Sequence, residues 1–188
     1  MSEPLEVGEH ASHIAHQAHG AGGFAQAIAI VSSVIALLAS FTGLQSETSF
    51  GHALDAKNNA ILRQAEASDK WSYFQAKSTK QGMQEMAARL STRKADREAF
   101  EAKGKKYDEE KAEIKKEAEE KEKERDEFNH ESEHFLHVHH RFAPGVTLFQ
   151  VGMVLAAISM VVQKRSVLGV GIVAATGGLG FLLAGFLA

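Results

Sequence analysis

The sequence predicts an all-α membrane protein with three transmembrane helices and a long antiparallel helical hairpin, a coiled-coil stalk, between the first and the second. Two observations indicate this fold class: three long segments lack any charged residue, and almost all charge lies in the block between the first two. Each charge-free segment reaches the roughly 20 residues that an α-helix needs to cross a hydrocarbon core. Buried helices of a water-soluble protein are a poor alternative, because no globular remainder could cover three such segments.

Charge divides the chain into six consecutive parts. The first apolar segment is too long for a signal-peptide core and no basic residue precedes it, so we interpret it as a membrane span. The predicted parts are a polar, histidine-containing N-terminal tail (1–21), transmembrane helix 1 (22–44), the extramembrane hairpin (45–143), transmembrane helix 2 (144–163), a basic turn (164–165) and transmembrane helix 3 (166–188).

The block 45–143 must fold back on itself, because both of its ends meet the same face of the membrane. Ser91 and Thr92 are weak helix formers near its midpoint and Gly104 is a second candidate break, so we predict a tip near 91–104. Two arms of roughly 45 residues would each extend on the order of 65 to 70 Å at about 1.5 Å per residue.

Each arm of the predicted hairpin carries its own pattern. The second arm has a seven-residue repeat typical of a thin coiled-coil seam: Phe100, Tyr107, Ile114, Lys121, Phe128, Phe135 and Phe142. The first arm has a smooth stripe of small residues that ends in larger ones: Ala65, Ser68, Ser72, Ala76, Thr79, Met83, Met86 and Leu90. We expect this small stripe to pack against the aromatic residues of the second arm.

A histidine-rich stretch, HESEHFLHVHH at 130–140, contains the H-E-x-x-H pattern of zinc peptidases. A peptidase also needs a third ligand, an open metal position and a cleft, and the predicted fold offers no body to form one, so we predict no enzyme. His130, His134 and His137 could instead bind Zn, Ni or Cu, with His52 at the same level on the facing arm. The other interpretation is that these imidazoles pack and hydrogen-bond near lipid headgroups.

The four histidines of the tail, His10, His13, His16 and His19, cannot all share one helical face, and we interpret the tail as a polar extension. No ionisable group lies in any predicted span, which argues against a proton-coupled transporter. The hairpin carries slightly more acidic than basic residues, so it has no electrostatic footprint for nucleic acid. The absence of cysteine excludes disulfides.

Candidate interface residues lie in two places. Trp71, Tyr73 and Phe74 offer more aromatic surface than one helix–helix contact can bury. Gly180 and Ala184 belong to a row of small residues that suits close helix packing in a membrane. Together they predict a homo-oligomer larger than a dimer.

Three stretches carry a resemblance to a known family: ASDKWSYFQAKSTKQ (67–81), KKYDEEKAEIKKEAEE (105–120) and HHRFAPGVTLFQVGMVLAAISMVVQKRS (139–166). In this order they resemble an uncharacterised bacterial membrane-protein family catalogued as domain of unknown function 4337. Phe74 departs from the tyrosine that many members carry there. The resemblance implies one helix, a charged coil and a helical pair with a basic turn, and it implies no activity or catalytic residue.

The predicted function is that of a membrane-anchored, non-catalytic scaffold that assembles with itself into a ring or filament and has the lipid bilayer as its other partner. The alternative is a metal-binding or metal-handling membrane protein that uses the juxtamembrane histidines. Lys164 and Arg165 in a very short turn favour the cytoplasmic side. We therefore expect a bacterial inner-membrane protein with a cytoplasmic N-terminus and a periplasmic hairpin.

Overall fold

The computed structural model describes residues 23–187, and within this range it contains three α-helices and no strand. Helix α1 is Gly23–Leu90, α2 is Lys94–Val162 and α3 is Arg165–Phe186. Each helix contains a stretch that is long and apolar enough to cross a membrane. The all-helical prediction is thus confirmed for the described range, and α1 and α2 pack closely as a hairpin. The predicted N-terminal tail and its histidines lie outside the described residues.

The chain divides into two compact units, and α1 and α2 contribute to both. The first, which we call the apolar unit, contains the described residues up to Ala53 and those from Glu133 onward. The second, the hairpin unit, is Leu54–Ser132. We describe each unit by itself.

The apolar unit is built around a small core and a set of close helix contacts. The buried core consists of Ile35, Ala39, Phe142, Phe149 and Leu182. On the two sides of the α2–α3 contact, glycines recur every seven residues: Gly145 and Gly152 on α2, and Gly171, Gly178 and Gly185 on α3. Because glycine lacks a Cβ, such rows allow the two helix backbones to approach closely.

Two of these glycines show how close the approach is. A Cβ placed on Gly152 would lie 2.8 Å from the carbonyl oxygen of Gly171, and one placed on Gly171 would lie 2.9 Å from the carbonyl oxygen of Gly152. A Cβ on Gly145 would lie 3.2 Å from the carbonyl oxygen of Gly178. The glycines of α2 and α3 therefore face each other backbone to backbone.

A short turn joins α2 to α3. Gln163 adopts a positive φ of 54°, which lets the chain reverse within two residues. The hydroxyl of Ser159 donates to the carbonyl oxygen of Lys164 at 3.0 Å and closes the turn. The structure places Lys164 in this turn and begins α3 at Arg165.

In the hairpin unit, α1 ends at Leu90, and residues 91–93 link it to α2. The Ser91 hydroxyl donates to the carbonyl oxygen of Ala87 at 2.8 Å, which satisfies one of the free carbonyls at the helix end. Gly104, the other candidate break, lies buried inside α2, where a Cβ would meet the Cβ of Gln84 at 3.8 Å. Gly104 therefore belongs to the contact between the two helices.

The small stripe of α1 does not face α2, so that expectation was wrong. Its members are exposed, whereas the buried residues of α1 in this unit are Ala56, Ala60, Ala67 and Ala88. Across the contact, α2 buries Ile114 and Ala118. In this alanine row, Ala60, Ala67 and Ala88 are separated by multiples of seven residues, and Arg63 and Lys70 each follow one of the alanines by three residues.

Candidate interaction surfaces

A ladder of ion pairs joins the two helices of the hairpin unit. Arg63 of α1 pairs with Glu124 of α2 at 2.9 Å, Lys70 pairs with Glu117 at 2.5 Å, and Lys77 pairs with Glu110. The partners step by seven residues along both helices in opposite directions. The ladder therefore specifies an antiparallel register, because a shift of one residue would separate all three pairs.

In the pair nearest the 91–93 link, Lys77 with Glu110, the pKa values of both partners are shifted. The hydrogen bond from Lys77 holds the pKa of the Glu110 carboxyl below its ordinary value of 4.5. The hydrogen bond to Glu110, followed by the one with Tyr73, raises the pKa of Lys77 above its ordinary 10.5. The rings of Tyr73 and Tyr107 lie 5.1 and 5.3 Å from the Lys77 ammonium, so aromatic faces also contact this charge.

The three aromatic residues expected to form an interface have different surroundings. The indole Nε1 of Trp71 donates to Glu122 Oε1 of α2 at 2.9 Å. Phe74 meets the Trp71 ring edge to face at 5.5 Å and lies under the ammonium of Lys111. Tyr73 is half exposed. Trp71 and Phe74 thus contribute to the contact between α1 and α2, and a role for the three residues in assembly stays a prediction.

The face of α1 opposite this contact carries an uncharged row, which we call the outer stripe. An α-helix turns by about 100° per residue, so the side chains of this row all leave the helix axis within about 40° of the direction of the Ser72 side chain. Met83, Met86 and Leu90 are 63%, 64% and 76% exposed, and Ile61 is 60% exposed. The full row is Leu54, Asn58, Ile61, Ala65, Ser68, Ser72, Ala76, Thr79, Met83, Met86 and Leu90.

The predicted histidine site is divided between the two units. His130 belongs to the hairpin unit, and His52, His134 and His137 belong to the apolar unit. The ring of His52 stacks on Phe135 at 5.0 Å, and His134 lies against the same phenylalanine at 5.7 Å. Across residues 23–187, no three His, Asp or Glu side chains gather closely enough to hold a metal ion.

The histidine with the most specific contacts is one that the sequence interpretation did not single out as a ligand. Nδ1 of His139 lies 2.9 Å from both the hydroxyl and the carbonyl oxygen of Ser46, which ties α2 to α1 in the apolar unit. Its ring also lies 5.1 Å from Phe50. These contacts are of the packing and hydrogen-bonding kind that the sequence left open for this segment.

In the small row of α3, Gly180 lies away from the contact with α2. A Cβ added at Gly180 would meet no atom of the described residues within 4 Å, in contrast to Gly178 and Gly171. Thr176 of the same row borders an apolar groove between α1 and α3, together with Ile30, Val34 and Ile172. Gly180 therefore has open space for a contact beyond the described chain, whereas Ala184 is partly buried.

Sequence reasoning missed the ladder, although its signal is present. Arg63, Lys70 and Lys77 recur every seven residues in one arm, as do Glu110, Glu117 and Glu124 in the other. The match between these basic residues and glutamates was missed because Lys and Arg are usually assumed to lie in solvent. In this helix pair they bury part of their aliphatic stems beside the alanine row and place their charges at its edge.

These features define a class of protein: over residues 23–187 it is helical, with three helices that contain membrane-length apolar stretches, two of which also form a charged hairpin held by an ion-pair ladder. The family model described as Domain of unknown function (DUF4337) matches residues 24–188. The chain belongs to this family, as the three quoted stretches predicted. No curated protein and no solved structure matches the chain.

Proposed function

We propose that this protein is a membrane-anchored scaffold, without catalytic activity, that assembles with itself into a homo-oligomer larger than a dimer. In this proposal the apolar unit spans a bilayer and the hairpin unit is a coiled coil outside it. The observation that carries the proposal is the combination of membrane-length helices with an uncharged outer stripe on the charge-rich part of α1, residues 54–90.

Exposure in the apolar unit supports the anchor. Leu37 and Val173 are each 72% exposed, and many other large aliphatic residues of the apolar unit are similarly open. In water this surface would be costly, whereas lipid chains cover it without penalty. Two polar groups there have local partners: Ser33 and Thr42 donate to carbonyl oxygens four residues earlier in α1, at 2.8 and 2.6 Å.

Two separate surfaces support assembly beyond a dimer. The outer stripe lies in the hairpin unit, and the row containing Gly180 and Ala184 lies in the apolar unit. A protomer with a single self-complementary face gives only a dimer, whereas a second interface allows a closed ring or a filament. The small row of α3 suits the close backbone approach that drives helix association in lipid.

The mass of the full chain, purified without an affinity tag at the lowest detergent concentration that keeps it soluble, tests this proposal. We expect a protein mass above two protomers, with Gly180→Leu lowering it because a large side chain blocks the close contact. Gly43→Leu is the matched control, since Gly43 is also an open glycine in an apolar helix but lies outside the proposed surfaces. A monomeric wild type would refute the proposal.

Metal handling, the alternative from the sequence, gives a different result in the same preparation. It requires Zn, Ni or Cu in stoichiometric amounts, lost when His134 and His137 are changed to Ala. The scaffold proposal requires no metal, and its particle mass should not change when the protein is treated with a chelator. A chelator-sensitive oligomer with bound metal would favour the alternative.

A further inference from the structure

We propose that the outer stripe of α1 is the contact surface for a second copy of this chain, with the two α1 helices parallel and in register. This inference rests on the proposed function and names the surface and partner through which the hairpin units assemble. The outer stripe lies entirely within residues 54–90 and contains none of the aromatic residues Trp71, Tyr73 and Phe74.

The first argument is the absence of charge where charge is otherwise frequent. Residues 54–90 contain ten charged side chains, and none falls on the outer stripe. The stripe lies on the face of α1 opposite to the buried alanines Ala60 and Ala67, so α2 does not cover it. A solvated helix face would not need to exclude charge over ten turns, whereas a helix contact surface would.

The second argument is the direction of the stripe. At about 100° per residue its members lie within about 40° of Ser72, whereas the buried Ala60 and Ala67 lie about 120° and 140° away from it. The outer stripe is therefore a contact line of its own and not a continuation of the contact with α2.

The third argument, charge at the borders of the stripe, selects the partner and its direction. In a parallel, in-register pair, Asp55 of one copy comes level with Lys57 of the other, and the two-fold axis creates this contact twice. Within its own chain the Lys57 ammonium donates to the neutral side chain of Asn129 at 2.8 Å, so its charge is not paired there. Asp55 forms no ion pair with any other described residue. The other residues that flank the outer stripe bring no two like charges together. Gln64 of one copy faces Leu62 of the other, Gln75 faces Asp69, and Gly82 faces Lys80.

An antiparallel pair is less favourable. Centred on Ser72, it would place Lys57 beside Arg89 of the second copy at both ends, which is a like-charge contact. Copies anchored in one bilayer with one topology are also related by an axis along the membrane normal, which places each residue level with its counterpart. Charge and anchorage thus favour the same parallel register.

Site-directed cross-linking of the full chain in detergent or liposomes tests the inference. The chain has no cysteine, so single cysteines at Ala65 or Thr79 can be joined by a short bis-maleimide without background. In the parallel register each variant links to itself. In the antiparallel register Ala65 meets Thr79 instead, and only a mixture of the two variants links. Glu119→Cys, an exposed position on α2, is the control.

We expect about tenfold more covalent dimer from A65C and from T79C than from E119C. Charge reversal adds a second readout: Asp55→Lys should reduce the A65C yield several-fold, and Asp55→Lys combined with Lys57→Asp should restore it. Far-UV circular dichroism checks that each variant keeps its helicity.

The outcomes separate the two proposals. A monomeric wild type overturns the scaffold and this inference together. A wild type larger than a dimer whose A65C and T79C variants link no better than E119C keeps the scaffold and overturns the outer stripe as its contact, leaving that face to lipid or to another protein. Linking only in the A65C and T79C mixture overturns the parallel register.

Discussion

Gly152 and Gly171 determine how closely α2 and α3 approach in the apolar unit. Each glycine lies against the backbone carbonyl of the other, and a carbonyl cannot rotate away as a flexible side chain can. Gly180 on the same helix has open space around it. Two glycines of α3 thus have different roles: Gly171 packs against α2, and Gly180 has no neighbour among the described residues.

We predict that Gly152→Ala destabilises the apolar unit although alanine is the better helix former. The added Cβ would lie 2.8 Å from the Gly171 oxygen, so the helices must separate, at a cost of about 1 to 3 kcal/mol. Gly180→Ala is the control and should be neutral or slightly stabilising. Thermal unfolding in detergent, followed by circular dichroism, measures both. Equal midpoints for the two variants would contradict the backbone contact.

At the residue scale, the sequence could predict which glycines belong to apolar helices but not which of them face a neighbour. Thr176, Gly180 and Ala184 form the row that sequence rules recognise, yet Gly171, Gly178 and Gly185 make the contacts with α2. The spacing of four is a general preference in membrane helices, whereas this antiparallel contact follows the spacing of seven. Facing glycines on two helices become visible only when their register is known.

At the element scale, α1 of the hairpin unit carries two different faces. One combines alanines with the basic members of the ladder and meets α2, and the other is the uncharged outer stripe. The sequence interpretation identified the stripe as a contact surface but assigned it to α2, because apolar residues are expected to be buried first. Within this unit the small alanine row is enough for a two-helix contact, since Arg63, Lys70 and Lys77 span its edge to their glutamates.

The Lys77–Glu110 pair predicts how hairpin stability depends on pH. Because the pKa of Glu110 lies below 4.5 in the folded chain, its contribution is present above about pH 4.5 and is lost as the pH falls through the folded value. Because the pKa of Lys77 lies above 10.5, its contribution is present below about pH 10.5 and is lost as the pH rises further. The contribution of this pair should be constant between these limits.

Trp71 provides the measurement, because it is the only tryptophan and lies in the hairpin unit against Glu122. The thermal midpoint measured from its fluorescence should decrease as the pH is lowered below about 4.5. Glu110→Gln should weaken this dependence on pH. Glu119→Gln, which removes only the exposed partner of Lys115, is the matched control and should retain it. If the thermal midpoints of wild type and E110Q depend on acid pH in the same way, the Lys77–Glu110 pair does not cause the acid dependence of hairpin stability.

At the scale of the whole molecule, segregation of charge was the strongest signal in the sequence, and it explains why the helical fold could be predicted. Lys164 and Arg165 are the only charged residues in the last 47 positions, and the structure places them where α2 gives way to α3. The two-unit division was not predicted, because α1 and α2 run through both units without a break at Ala53 or Ser132. Helical periodicity alone does not mark such a boundary.

The same two basic residues predict the topology of the proposed anchor. A short loop with two positive charges is retained in the cytoplasm, whereas a block as long as 45–143 crosses largely regardless of its charge. A cysteine at Ser91 should therefore react with a membrane-impermeant thiol reagent in intact bacterial cells, and one at Gln163 only after lysis. Replacing Lys164 and Arg165 with Ala should make a fraction of the Gln163→Cys chains reactive in intact cells. Labelling at 163 but not at 91 would reverse the orientation, and the hairpin would then assemble in the cytoplasm.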